Sequence, residues 1–151
     1  MTSLQKEIAA LLTLAKLLFK AQRLSFDFSI ESLQSIGKIC QKEGVPNNDD
    51  SKQISVDRKL LALGVYLGEM VCKHVDGSAW DQEVKDIKDA SITFMSDSKI
   101  WPVKKVVNCF KNGFADGDIF TYTSEIIAEE NRKVALNKRK KNTKAWWQFW
   151  Q

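Results

Sequence analysis

The chain has 151 residues, the size of one domain, and 44% hydrophobic with 28% charged residues suffices for an ordinary core under a polar surface. No apolar run approaches the roughly 20 residues that cross a bilayer, and the N-terminal residues do not combine the basic region, apolar stretch and cleavage site of a signal peptide. A cytoplasmic protein is therefore expected. The net charge of +4 is unevenly placed, because Lys138, Arg139, Lys140, Lys141 and Lys144 fall in residues 138–151 without an acid. Removing these five from the 23 basic residues leaves 18 against 19 acidic ones, so residues 1–137 carry about −1. A body so close to neutral speaks against a nucleic-acid-binding surface despite the basic total.

In chain order, Leu4, Ile8, Leu11, Leu12, Ala15, Leu18 and Phe19 recur at helical spacing over residues 3–24, with Ser3 as the expected N-cap. Ser29 suits the cap of a second helix carrying Ile30, Leu33, Ile36 and Cys40, closed by Gly44 and Pro46. The polar segment Pro46–Ser51, with Asp49 and Asp50, reads as a surface loop. A third helix is expected from about Val56 to His74, apolar on more than one face and hence central. Its Gly64, Gly68 and Cys72 form a stripe of small residues, which predicts a close approach by another element. Glu69 lies beside that stripe and, once buried, needs a partner such as the Trp80 indole or backbone amides.

After the Asp76-Gly77-Ser78 turn the periodicity changes. Trp80–Ile87, Ser91–Met95 and Ser98–Pro102 read as short strands, the last two joined by a turn at Ser96-Asp97-Ser98. Pro102 opens a helix through Phe110, Asn112-Gly113 closes it, and a last helix runs from about Asp118 to Lys140. The expected fold class is α+β: one helix-rich domain over residues 1–137 with a small antiparallel sheet of about three strands, followed by a separable tail over 138–151.

The motifs of common enzymes are missing. His74 is the sole histidine, so a nucleophile–histidine–acid arrangement would have to use it, with Cys72 two residues away facing another direction, and metal sites built on several histidines are excluded. Cys40, Cys72 and Cys109 are far apart, with no CxxC spacing for zinc or redox chemistry, and each sits among apolar neighbours as a small hydrophobe. Phosphate-cradling glycine loops do not occur. Asp116/Asp118 and Glu129/Glu130 read as helix-start and solvent-facing acids. Neither cofactor nor metal is expected, and Glu69 with Trp80 is read as a structural anchor. In the tail, Lys140, Lys141, Trp146, Trp147 and Trp150 are candidate contacts, suited to a membrane interface or to an apolar patch on a partner.

The stretch Asp57-Arg58-Lys59-Leu60-Leu61-Ala62-Leu63-Gly64-Val65-Tyr66-Leu67-Gly68-Glu69, then Trp80, then Ile100-Trp101-Pro102-Val103-Lys104-Lys105-Val106 and Asn112-Gly113, resembles a pattern in small uncharacterised bacterial domains. In these a "D..L..LG.Y.GE" helix precedes a lone strand tryptophan and a "P...V.K....G" helix. Some such stand-alone proteins resemble immunity proteins that neutralise secreted antibacterial toxins, and the resemblance implies a non-catalytic, toxin-binding role. Asp49, Asp50, Asp81, Glu83, Asp86 and Asp89 then become the expected partner-binding acids, able to steer a basic toxin domain. Two alternatives accompany this reading: a peripheral membrane or scaffold protein docked through its Lys/Trp tail, and an enzyme with a carboxylate site near Glu69.

Overall fold

The computed structural model describes residues 2–43, 50–111 and 119–149, with side chains over 2–39, 58–110 and 119–140. Helix α1 (Ser3–Ala21) begins at the residue expected to cap it, so its cap lies one position earlier. Thr2 rather than Ser3 is the N-cap, since Thr2 Oγ1 accepts from the Gln5 N–H and Gln5 Oε1 accepts from the Thr2 N–H, a reciprocal capping box. Its apolar stripe Leu4, Ile8, Leu11, Ala15, Leu18 and Phe19 is buried. Ser29 caps a short 3₁₀ turn, Ile30–Ser32, and this turn leads into α2 (Leu33–Glu43).

Helix α3 (Asp50–His74) starts six residues before the expected Val56. Asp and Ser at positions 50 and 51 favour a helix start rather than a loop, and no proline or glycine follows before Gly64. From Leu60 to Val71 it is buried on nearly every side, as a central helix should be. Between α1 and α2 the chain turns through Arg23 and Phe28, both at positive φ (57° and 56°). Phe28 is held there by α3: its N–H donates to the Tyr66 hydroxyl at 3.1 Å, and its carbonyl lies 2.8 Å from His74 Nε2. Its ring stacks on Tyr66 and carries Lys73 Nζ 4.4 Å above it. The Tyr66 hydroxyl also lies 2.6 Å from Ser32 Oγ, which donates to the Ser29 carbonyl, so this buried phenol is fully bonded.

The sheet is antiparallel, in the order β1 (Ala79–Trp80), β2 (Ile92–Thr93), β3 (Lys99–Ile100). Trp80, Ile92 and Ile100 stand in register and face the core, while Ala79, Thr93 and Lys99 form the other face. The first strand is far shorter than the expected Trp80–Ile87. Residues 81–86 offer only Val84 as an apolar side chain, so they have no face to bury, and Asp86 instead caps a 3₁₀ turn, Ile87–Asp89. Asp97, at φ 67°, makes the β2–β3 turn.

Helix α4 (Pro102–Lys111) buries Val103, Val106 and Cys109, and α5 (Ile119–Phe149) buries Ile119, Thr123, Ile127, Glu130 and Val134. The last helix runs nine residues past the expected Lys140, because no glycine or proline follows Gly117. It passes unbroken through 137/138, where the tail was expected to separate. The closing Asn112-Gly113 and the loop at 46–49 lie outside the described residues. The described residues form a helix-rich α+β domain of five helices around a small three-stranded sheet.

The small stripe on α3 sets how its neighbours sit. A methyl group on Gly64 would stand 2.6 Å from Val103 Cα of α4, and one on Gly68 would collide with the Trp80 ring. Gly37 in α2 has nothing within 4 Å of that position. Gly64→Ala and Gly68→Ala are therefore expected to lower stability by about 1–3 kcal/mol, overpacking outweighing the gain in helix propensity. Gly37→Ala should raise it by about 0.5–1 kcal/mol. Urea unfolding of the three variants measures the contrast.

Candidate interaction surfaces

The Trp80 indole N–H donates to Glu69 Oε1 at 2.9 Å. Of the two kinds of partner considered for Glu69, the indole is the one in place. It joins the outer face of the α3 small stripe to the first strand, beside the collision point at Gly68. Together they line an open groove of about 420 Å³ between α1, the end of α3 and β1, with Gln5, Ile8, Leu12, Cys72, Ser78 and Gln82. Thr2 Oγ1 bonds Gln82 Oε1 at 3.1 Å at one side of it. The Cys72 thiol in this groove is pushed up to about 11, first by burial and then by the neighbouring Glu69 charge. It is protonated at neutral pH, so the groove presents a neutral thiol rather than a thiolate nucleophile. His74, two residues on, has its Nε2 on the Phe28 carbonyl.

The acids expected to meet a partner are mostly engaged within the chain. Asp81 ties the three strands together: its carboxylate accepts from Ser91 Oγ and, at 2.7 Å, from Thr93 Oγ1, and Lys99 Nζ lies 3.4 Å away. Those bonds, the Ser91 one foremost, hold its carboxyl below the usual carboxylate range. Asp86 accepts from the Lys88 N–H, and Asp89 pairs with Lys104 at 3.3 Å. Glu83 is exposed. Lys85 and Lys88 are interleaved with these four acids, so the segment is a mixed rather than a uniformly acidic surface. Asp50 begins α3, while the Asp49 position and the side chains of Asp50, Lys141, Trp146, Trp147 and Trp150 lie outside the described residues; Lys140 is exposed on α5.

Two further groups emerge from the packing. Glu130, expected to face solvent, is 5% exposed and accepts from Ser96 Oγ at 2.8 Å and Lys133 Nζ at 3.2 Å, which fixes the β2–β3 turn onto α5. Its place was readable, since it continues the buried stripe of Ile119, Thr123, Ile127 and Val134. The second is an aromatic patch where β3 meets α4 and α5. Trp101 is 44% exposed and Tyr122 37%, around an apolar dimple floored by Leu67, Val71 and Ile126. Lys105 Nζ sits 4.1 Å over the Tyr122 ring. Thr123, 1% exposed, also lines the dimple, and its Oγ1 has no hydrogen-bond partner among the described residues. The signal for this patch was strand alternation: with Ile100 facing inward, Trp101 must face out.

Among the described residues no helix is long and apolar enough to cross a membrane, and no three His, Cys, Asp or Glu side chains gather as a metal-binding group.

Two outcomes follow from the polar geometry. The folded-state pKa of Asp81 lies below its ordinary value, so its stabilising contribution is complete above about pH 4 and is lost as pH falls through the folded value. Asp81→Asn should cost about 1 kcal/mol at pH 7 and should weaken the decline of stability below about pH 4, read from urea midpoints across pH. Cys72 should alkylate on the order of 100-fold more slowly at pH 8 than an ordinary exposed cysteine, measured by peptide mapping after timed iodoacetamide treatment. Comparison with protein-family models, with curated proteins and with solved structures finds no match to this chain.

Proposed function

We propose that this chain is a non-catalytic binding protein, and in its finer form a bacterial immunity protein that occludes a cognate toxin domain. The observation that carries the binding role is the exposed Trp101–Tyr122 pair around the dimple. Half-exposed tryptophan and tyrosine on a rigid surface are the side chains that dominate protein–protein binding energies.

Charged residues border this patch as a rim borders an interface core. Lys104, on the same helix as the Lys105 that covers Tyr122, pairs with Asp89, so the mixed-charge segment holding Glu83, Asp86 and Asp89 leads up to α4. In this role the segment contributes orientation and encounter rate more than affinity. The groups that an enzyme could use support the same reading: the Cys72 thiol is protonated, His74 is spent on a backbone carbonyl, and Asp81 is spent on the sheet. The finer, toxin-occluding form rests on the resemblance of the Asp57–Gly113 pattern to immunity-like bacterial domains.

The test begins with the reading frame adjacent to the one encoding this chain. Its product is expected to arrest a bacterial host, and co-expression of this chain to restore growth. With the two proteins purified, Trp101→Ala should weaken binding by about 2 kcal/mol or more, roughly 30-fold in Kd. Its urea midpoint should move by no more than about 0.5 kcal/mol, as for a surface substitution. A Trp101→Ala chain that binds as tightly as the original removes the patch from the interface, and a neighbour that is harmless removes the toxin.

A further inference from the structure

Residues 135–140 of α5 do not line the surface just described. Among the described side chains the last buried one on this helix is Val134, and residues 135–140 are all exposed, Leu136 among them at 41%. Yet the helix continues to Phe149. After Glu130 there is no further acid in the sequence, while Lys138, Arg139, Lys140, Lys141 and Lys144 are followed by Trp146, Trp147, Phe149 and Trp150. Lys138 Nζ lies 3.6 Å from Asp76 of the body, and both side chains are exposed.

We infer that this stretch of α5 is a docking helix for an anionic lipid surface. The cations and the aromatic residues are segregated along the helix axis rather than around it. At 1.5 Å per residue, Lys140 and Trp147 stand about 10 Å apart along that axis. That spacing is comparable to the polar layer of one leaflet, roughly 5–8 Å thick. It lets the lysines meet lipid phosphates while the indoles, which favour the membrane–water boundary, lie at the edge of the hydrocarbon. Residues 135–149 span only about 22 Å as a helix, against about 30 Å of hydrocarbon, so the stretch meets the membrane end-on through its C-terminal turns and does not cross it. Charge complementarity also separates lipid from nucleic acid. A strand of nucleic acid needs a basic groove that follows its backbone, whereas residues 1–137 carry about −1 beside the five cations of 138–151.

The intact chain is to be floated with vesicles of pure phosphatidylcholine and with vesicles holding about one third phosphatidylserine. The expected result is association with the anionic vesicles alone, falling at least tenfold between 0.1 M and 0.5 M salt, as screening of exposed charges requires. Each cation near such a surface is worth about fivefold in partition. Reversal of Lys140, Lys141 and Lys144 to Glu should therefore reduce association by on the order of 100-fold or more. Trp146→Ser with Trp147→Ser and Trp150→Ser should reduce it while leaving the cations in place, and circular dichroism with urea unfolding checks that both variants keep the fold. Equal association with neutral vesicles, no association with either kind, or retention by the Lys→Glu variant would each overturn the inference. So would tighter capture by a single-stranded oligonucleotide than by anionic vesicles. Trp101→Ala should float like the original chain, so loss of the protein partner and loss of the lipid surface remain separate results.

Discussion

At Gly64 the backbone of α4 approaches α3 so closely that a methyl group would stand 2.6 Å from Val103 Cα, and one turn further on the Trp80 ring fills the space above Gly68. This close approach determines where the sheet and α4 can be. With Trp80 laid over α3, its partner Ile92 and, across the next pairing, Ile100 fall into register facing the core. Pro102 then starts α4 directly after β3, which brings Val103 onto Gly64. The aromatic patch is a result of the same geometry, since Trp101 is the residue left facing outward between the buried Ile100 and the first turn of α4.

The polar groups inside the domain hold segments that hydrophobic burial alone would leave loosely placed. Glu69 takes the Trp80 indole, Glu130 takes the β2–β3 turn, Asp81 joins three short strands, and Tyr66 holds Phe28 in a backbone conformation that a bulky residue rarely adopts. Each of these bonds spans more than nine residues of sequence. Strands only two residues long have few ladder bonds of their own, and a carboxylate bonded to hydroxyls on the neighbouring strand supplies what the ladder lacks.

Much of the domain was legible in the residues because its helices carry clean stripes. The faces of α1 and α3, the turn at Gly77 and the proline start of α4 all follow from spacing and punctuation. Helix ends were less legible. Asp50 looks like loop and is a helix start, and α5 continues past Lys140 through residues whose composition suggests a tail. Charge and polarity describe solvent exposure, and an exposed helix shares them with a loop. The first strand failed for a related reason: residues 81–86 border a true strand, but the Asp81 carboxylate turns to Ser91 and Thr93 and the chain leaves the sheet. For the candidate sites, the Glu69–Trp80 pair was accessible because an acid expected beside a closely packed stripe demands a partner, and the half-buried Glu69 has one. The buried place of Glu130 and the outward face of Trp101 required the register of their elements to be taken literally, residue by residue.

The two glycines of α3 differ in how sequence drift could pass through them. A larger residue at position 68 meets a side chain, so a smaller ring or an aliphatic residue at position 80 could restore the space. Position 64 meets the Cα of Val103, and no exchange of side chain at 103 removes that atom. Among descendants of this chain, positions 68 and 80 are thus free to change together, at the cost of the hydrogen bond to Glu69. Position 64 has no such companion, and any departure from glycine there must be accommodated by moving a whole helix.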